Sequence, residues 1–293
     1  LGFGRRATPA QKTQVVQKLR QRHALDILLS IAQLPRATFY YHLKQMRRAD
    51  KYEEAKTEIA VIYQENKGRY GYRRITTALH NRGIHLNHKT VQRLMRQLGL
   101  ACRVRIKKYR SYKGEVGKIA PNLLNRNFYA EKPNQKWVTD VTEFNLFGQK
   151  LYLSPILDLH NGYLVSYTIF DRPILRMVTT MLDKAFETIP DGTGLILHSD
   201  QGWQYQHYGY RQRLEERNVL QSMSRKGNCL DNAMAESFFA IMKSELLYAE
   251  NFESPEAFTR ALEEYIDYYN HRRIKSRLKG KSPVQYRTLS ITG

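Results

Sequence analysis

The pattern of apolar residues changes character at Lys136, and that change restricts the architectures open to this chain more than any other feature. Residues 136–144 (KWVTDVTEF), 150–159 and 163–170 are β-rich runs separated by turns at Gly148 and at His160-Asn161-Gly162. A helical period follows over about 174–189, then a short apolar strand at 194–198, a helix near 207–217 and a strand at 219–224. A long helix spans about 232–247. Before Lys136 the periodicity is helical as far as about Gly99, and little of it survives over 101–121.

Three strands in succession, then helix, strand, helix, strand, helix, is the order of a ribonuclease-H-like fold. The expected class is therefore α/β: a mixed five-stranded sheet over 132–250, preceded by all-α modules. A helix over 254–271, with Phe258, Leu262, Tyr265, Ile266 and Tyr269 at core spacing, opens a C-terminal region (251–293). Residues 272–287 then carry seven Lys/Arg and no acid.

The front of the chain is read by its charge. Of a net +21, the whole excess lies in residues 1–130, with 28 Lys/Arg against 7 Asp/Glu, while 131–293 balances. Such a block is the electrostatic footprint of phosphate binding, with a solubility device as the bland alternative. No run approaches the roughly 20 apolar residues of a membrane helix, and no signal peptide is evident. Cys102 and Cys229 lie far apart without a CxxC pair, which argues against a disulfide framework and fits a reducing cytoplasm. His80, His85 and His88 have too few partners for a zinc site. The first residue is Leu1 rather than Met, as expected of a fragment or of one part of a fusion with an upstream frame.

Two helix-turn-helix modules are expected. In the first (1–50), Leu25, Leu28, Leu29 and Ala32 recur at helical spacing, a turn falls at Gln33-Leu34, and Pro35 suits the first turn of a helix carrying Arg36 and Lys44. A generic three-helix bundle would read the same way. In the second (51–100), Gly68 and Gly71 break one helix, Gly83 closes the next, Asn87 can cap a third and Gly99 ends it. On that third helix Val91, Leu94, Met95 and Leu98 form the inner stripe, and Lys89, Gln92, Arg93 and Arg96 the outer one. Arg and Gln on one helical face can read guanine and adenine in a major groove, although any solvated helix can look alike. Residues 101–131 read as a basic linker, with Arg103, Arg105, Lys107 and Lys108 available to track a DNA backbone. Arg272 and Arg273 are further candidates, beside Tyr268 and Tyr269, which fit a core equally well.

Three acids stand out. Asp140 lies mid-strand between apolar neighbours, where a carboxylate is costly without a cation or partner. Asp200 ends the strand run Leu195-Ile196-Leu197-His198-Ser199, and Glu236 lies one turn into the long helix. Adjacent first and fourth strands, with the last helix beside them, would bring the three together. Exactly 35 residues separate Asp200 from Glu236, and Lys243 follows two helical turns later on the same face. Asp158 leads into a turn and reads as structural, Asp231 as the N-cap of the long helix, and His198 as packed or supporting the site. The stretch 224–229 is expected to be a mobile loop ordered by DNA.

In this spacing the chain resembles the DDE transposases and retroviral integrases, and more narrowly the second-frame (OrfB-type) transposases of two-frame bacterial insertion sequences. The matching segments are YGYRRI at 70–75, WVTDVTEF at 137–144, HSDQGWQY at 198–205, NCLDNAMAESFF at 228–239 and YYNHRR at 268–273. The resemblance implies that Asp140, Asp200 and Glu236 are the catalytic carboxylates. They would hold two divalent ions, magnesium or manganese in its place, an assignment that hard oxygen donors favour. It further implies binding of terminal inverted repeats and target DNA, hydrolysis to a 3′-OH followed by strand transfer, and Lys243 on phosphate near the reacting end. A homodimer or larger synaptic complex in the cytoplasm, at the nucleoid, completes that expectation. A decayed, non-catalytic DNA-binding regulator and a nuclease of branched DNA are the alternatives.

Overall fold

A computed structural model describes residues 7–46, 50–103, 119–189, 194–226 and 229–292. Two compact units divide the chain, Leu1–Thr57 and Glu58–Gly293.

The first unit is built from α1 (Pro9–Leu19), α2 (Leu25–Ala32) and α3 (Arg36–Met46). Thr8 and Gln11 close a capping box at the start of α1, satisfying two N–H groups that the helix cannot. Gln33 turns left-handed (φ 48°) to end α2, and Pro35 precedes α3 with its carbonyl accepting from Phe39 N at 2.9 Å. Val16, Leu28, Leu29, Leu34, Phe39 and Leu43 form the core, with Leu25 and Ala32 only partly buried against it.

The helices that follow are α4 (Glu53–Glu65), α5 (Tyr72–Asn81) and α6 (His88–Gln97). Their core contains Ile59, Ile62, Ile75, Leu79, Val91, Leu94 and Met95. Asn87 caps α6 by accepting from Lys89 N at 2.9 Å. Gly83 and Gly99 end α5 and α6 at φ +83° and +67°, and a Cβ at either would meet nothing within 4 Å. The left-handed backbone, not lack of room, calls for glycine there. Leu98, expected in the inner stripe, is 37% exposed because α6 ends before it.

The sheet follows with β1 (Lys136–Thr139), β2 (Thr142–Leu146), β3 (Gln149–Asp158) and β4 (Leu164–Phe170). After α7 (Leu175–Phe186) come β5 (Ile196–Ser199), α8 (Trp203–Gln206), α9 (Tyr208–Glu216) and β6 (Leu220–Met223). Next are α10 (Ala233–Met242), running on into a π-helical turn at Lys243–Leu247, then α11 (Pro255–His271) and α12 (Pro283–Thr292). β4 and the β1/β2 pair flank β3 in antiparallel fashion, while β5 runs parallel to β1 and β6 parallel to β5. This is the strand order of the expected fold, in a sheet of six strands rather than five.

The sixth strand arises because the first predicted strand is interrupted at Asp140-Val141. One register runs through both halves, Thr139 opposite Ile156 and Thr142 opposite Leu153, so Pro155 stands opposite Asp140. Proline has no N–H to give the ladder, and its carbonyl instead accepts the Thr139 hydroxyl at 2.9 Å. The expected helix near 207–217 is α9, preceded by the unexpected single turn α8, and the basic tail folds into α12.

Trp137, Ile156, Met177, Val178, Met181, Leu182, Leu197 and Leu214 pack α7 and α9 against one sheet face, each large side chain contributing about 1.5–3 kcal/mol of burial. Thr139 shares that face through Met181, so strand alternation sends Asp140 to the other, where α10 packs on β1. Residues 120–123, within the expected linker, lie along β6: Leu123 N reaches Ser222 Oγ at 2.9 Å and Met223 N reaches Pro121 O at 3.3 Å.

Candidate active site

Asp140 sits in the strand break with its carboxylate accepting from Val141 N at 2.7 Å. Asp200 follows the end of β5 and accepts from Gly202 N at 2.8 Å. Glu236 projects from the first turn of α10. All three are half-buried. Burial, then the charges of Asp200 and Glu236, push the Asp140 carboxyl well above the usual range, against the pull of Val141 N–H and Lys243. Burial raises Asp200 against its bond from Gly202, and burial with the charge of Asp200 raises Glu236. Asp200 and Glu236 thus bear on Asp140, and Asp200 on Glu236, across elements distant in sequence.

Lys243 opens the π-helical turn, donates to Glu143 O at 3.3 Å and lies 5.4 Å over the Phe144 ring. Burial lowers its pKa, opposed by Asp140 and Glu143. Among the described residues no group of three or more His, Cys, Asp or Glu side chains is drawn tightly enough to hold a metal ion as it stands. The triad is gathered but open. Its chemistry nevertheless fits a divalent cation: oxygen donors, partly desolvated and mutually repelling, are what a hard dication relieves. His80 bonds Leu86 O at 3.0 Å, and His88 stacks on Tyr72.

His198 is buried between the hydroxyls of Ser222 (2.8 Å) and Ser224 (3.1 Å), and burial pushes it down to about 4 against the influence of Asp231. It is a hydrogen-bonded core histidine. Asp158, also buried, receives Asn134 N, His160 N and Arg287 Nη1 at 2.7–3.0 Å, a structural role as expected. Asp231 does not cap α10. It is buried in a 3₁₀ turn and receives Arg225, Arg126 and Asn122 side chains at 2.8–3.0 Å. The Arg225 hydrogen bond, against burial, holds it well below the usual range. Of the stretch 224–229 expected as a loop, residues 227 and 228 lie outside the described residues.

Lys89, Gln92, Arg93 and Arg96 are exposed on one side of α6. Gln92 and Arg96 line a groove of about 380 Å³ with Tyr72, Leu100 and Cys102. Lys44 is exposed on α3, whereas Arg36 is paired with Asp26. Arg103 is exposed, with its N–H on Gly68 O at 3.1 Å. Arg105, Lys107 and Lys108 lie outside the described residues. Arg272 is exposed, 3.6 Å from Asp267.

Arg273 departs from expectation. It is buried, with Nε and Nη2 on the Glu245 carboxylate at 2.8 and 2.6 Å, so no DNA backbone can reach it. Its neighbours Tyr268 and Tyr269 are core residues. Glu245, which sequence reading missed, also accepts from Tyr265 Oη at 2.9 Å and pairs with Arg74 at 3.2 Å. Arg69 adds a bond to Glu245 O at 3.1 Å and a pair with Glu250 at 3.0 Å. The YGYRRI and YYNHRR segments therefore meet on the π-helical turn that begins at Lys243. A signal for this existed: Glu245 lies between the apolar runs 238–242 and 246–247 of one helical segment, where an acid has to find a cation.

The integrase core domain family matches residues 130–229 and 236–291, and the HTH-like domain family matches 50–108. The InsK protein of insertion element IS150 in Escherichia coli strain K12 is 53% identical over 274 residues, 94% of this chain and 97% of that one. A transposase of element IS904 in Lactococcus lactis is 36% identical over 84% of this chain and 98% of its own length. A transposase of IS629 in Shigella sonnei is 33% identical over 92% and 94%. Among solved structures, the HTLV-2 integrase catalytic core domain in complex with magnesium aligns at 17% identity and TM-score 0.43, covering 54% of this chain and 98% of that one.

Proposed function

The chain belongs to the insertion-sequence transposases, and from that premise we propose that Asp140, Asp200 and Glu236 are its catalytic carboxylates in DNA cleavage and strand transfer. The observation that carries this reading is their convergence: Asp140 follows β1, Asp200 follows the parallel neighbouring strand β5, and Glu236 lies on α10, which packs on β1, with the Asp140 carboxyl raised by burial and by both other acids. Closing the triad on two magnesium ions, or manganese in their place, would supply activation of the attacking oxygen and stabilisation of the leaving one. The protein's own part is placement. The strand break presents Asp140, the Gly202 N–H orients Asp200, and α10 carries Glu236.

Water would attack a phosphodiester at the element end, freeing a 3′-OH. That hydroxyl would then attack a second phosphodiester in the target, with no covalent enzyme intermediate. Lys243 would contact phosphate beside the reacting end. The HTH-like domain binds DNA, and we assign terminal-repeat recognition to Lys89, Gln92, Arg93 and Arg96 on α6, supported by Arg272, Arg103 and Lys44 on phosphates. Two ends processed together call for a dimer or larger synaptic assembly. No described helix is long and apolar enough to cross a membrane, and we place the enzyme with its DNA at the nucleoid. Asp200→Asn should abolish cleavage and joining of end-bearing DNA while retaining DNA binding. Undiminished product would remove Asp200 from the mechanism.

A further inference from the structure

The chain holds two tryptophans, Trp137 and Trp203, and the fold treats them oppositely. Trp137 is buried in β1, whereas Trp203, the first residue of α8, is 54% exposed. An indole is the largest apolar surface a side chain offers, and leaving it in water forgoes the gain of burying it. The position is not a loose loop. Tyr205, two residues on, is fully buried, Gln221 donates to its carbonyl at 2.7 Å, and Gln206 donates to Gln201 O.

The turn before α8 is equally constrained. Gly202 N–H is held by Asp200, and a Cβ on Gly202 would come within 2.7 Å of Gln204 Nε2 and 3.0 Å of Asp200 Oδ1. The Gly202 N–H bond to the Asp200 carboxylate at 2.8 Å ties the start of α8, and with it Trp203, to that side chain. Three peptide units separate their Cα atoms, at most about 11 Å. Tyr208, 65% exposed at the start of α9, adds a second open aromatic after the same short helix.

We propose that Trp203 is a stacking platform for an unpaired nucleobase beside the scissile phosphodiester. The inference rests on the transposase active site assigned above. A rigid, solvent-facing indole anchored to one of the catalytic carboxylates suits a base released from its stack, because every base presents a π-face and stacking requires no sequence match. Such a contact would hold the strand end while the backbone next to it reacts.

The test uses the full chain carrying Asp200→Asn, so that no DNA is consumed, and two probes: a duplex with a short thymidine overhang and the same duplex blunt. Trp137 is buried, so iodide quenching reports on Trp203. The overhang probe is expected to quench Trp203 emission and shield it from iodide, and the blunt duplex is not. Trp203→Ala should weaken overhang binding about tenfold with blunt-duplex affinity unchanged, and Trp203→Phe should restore most of the loss. Trp203 remaining equally open to iodide with and without overhang DNA, or Trp203→Ala weakening both probes alike, overturns the proposal. Joining by the wild-type chain is measured in parallel. A chain that joins DNA while Trp203 stays open refutes the platform alone; shielding in a chain that never cleaves or joins refutes the catalytic reading alone.

Discussion

Replacing Glu245 by alanine should cost the folded protein about 3–5 kcal/mol, the range for removing one partner of a buried ion pair. Glu245 and Arg273 are each only 3% exposed, and Arg273 spends two nitrogens on the one carboxylate. Without it, the guanidinium keeps, among the described residues, the face of Tyr269, 5.7 Å away. Tyr265 Oη loses its acceptor and Arg74 its counter-ion as well. Most of the loss comes from stranding Arg273, so Glu245→Leu combined with Arg273→Met should recover much of it, and Glu245→Gln should fall between. Urea unfolding followed by tryptophan emission measures the shift in midpoint at constant slope. Burial alone would raise the Glu245 carboxyl, but the Arg273 hydrogen bonds and the Arg273 and Arg74 charges hold it below the ordinary glutamate range. Its stabilisation is therefore present above the unfolded value and lost as pH falls through the folded one. A loss below about 1 kcal/mol for Glu245→Ala, the level of an exposed pair, would refute this reasoning.

Asp140→Asn removes a desolvated, repelled charge, so the metal-free Tm should rise by about 2–4 °C, the shift expected of about 1 kcal/mol in a domain of this size; magnesium-dependent stabilisation should disappear in the same melts. Asp231→Asn should cost about 2 kcal/mol at neutral pH through lost hydrogen bonds to cations. Because the folded Asp231 carboxyl is depressed, its contribution fades only as pH drops below the ordinary aspartate value, and the variant's acid unfolding curve should be flatter there. Arg96→Ala should weaken binding of element-end DNA about 10-fold and, if Arg96 contacts phosphate, lower the salt slope by about 0.9; unchanged titrations at several salt concentrations would take Arg96 off the interface.

What was legible in the sequence was what local periodicity and fixed spacing encode. The caps at Asn87 and Gly99, the strand runs around Asp140, and the Asp200 to Glu236 interval all depend on residues close in sequence or on a count. The misreadings share another cause, a partner far along the chain. The break at Asp140 depends on Pro155 in the neighbouring strand. Asp231 looks like a cap beside α10 until Arg126, 105 positions away, is brought to it. Arg273 counts as one more cation in a basic run, yet Glu245 draws it inside. α12 was hidden for a related reason, since charge counts read residues 272–287 as a tail. The exposure of Trp203 has no periodic signature because α8 is a single turn.

The central claim is that three separated acids close on paired divalent ions. Anomalous scattering from manganese-loaded crystals of the full chain with a bound DNA end tests it most directly. The account predicts two peaks shared among Asp140, Asp200 and Glu236, at oxygen distances of about 2.0–2.3 Å. Peaks elsewhere, or none at those carboxylates with DNA in place, would contradict it.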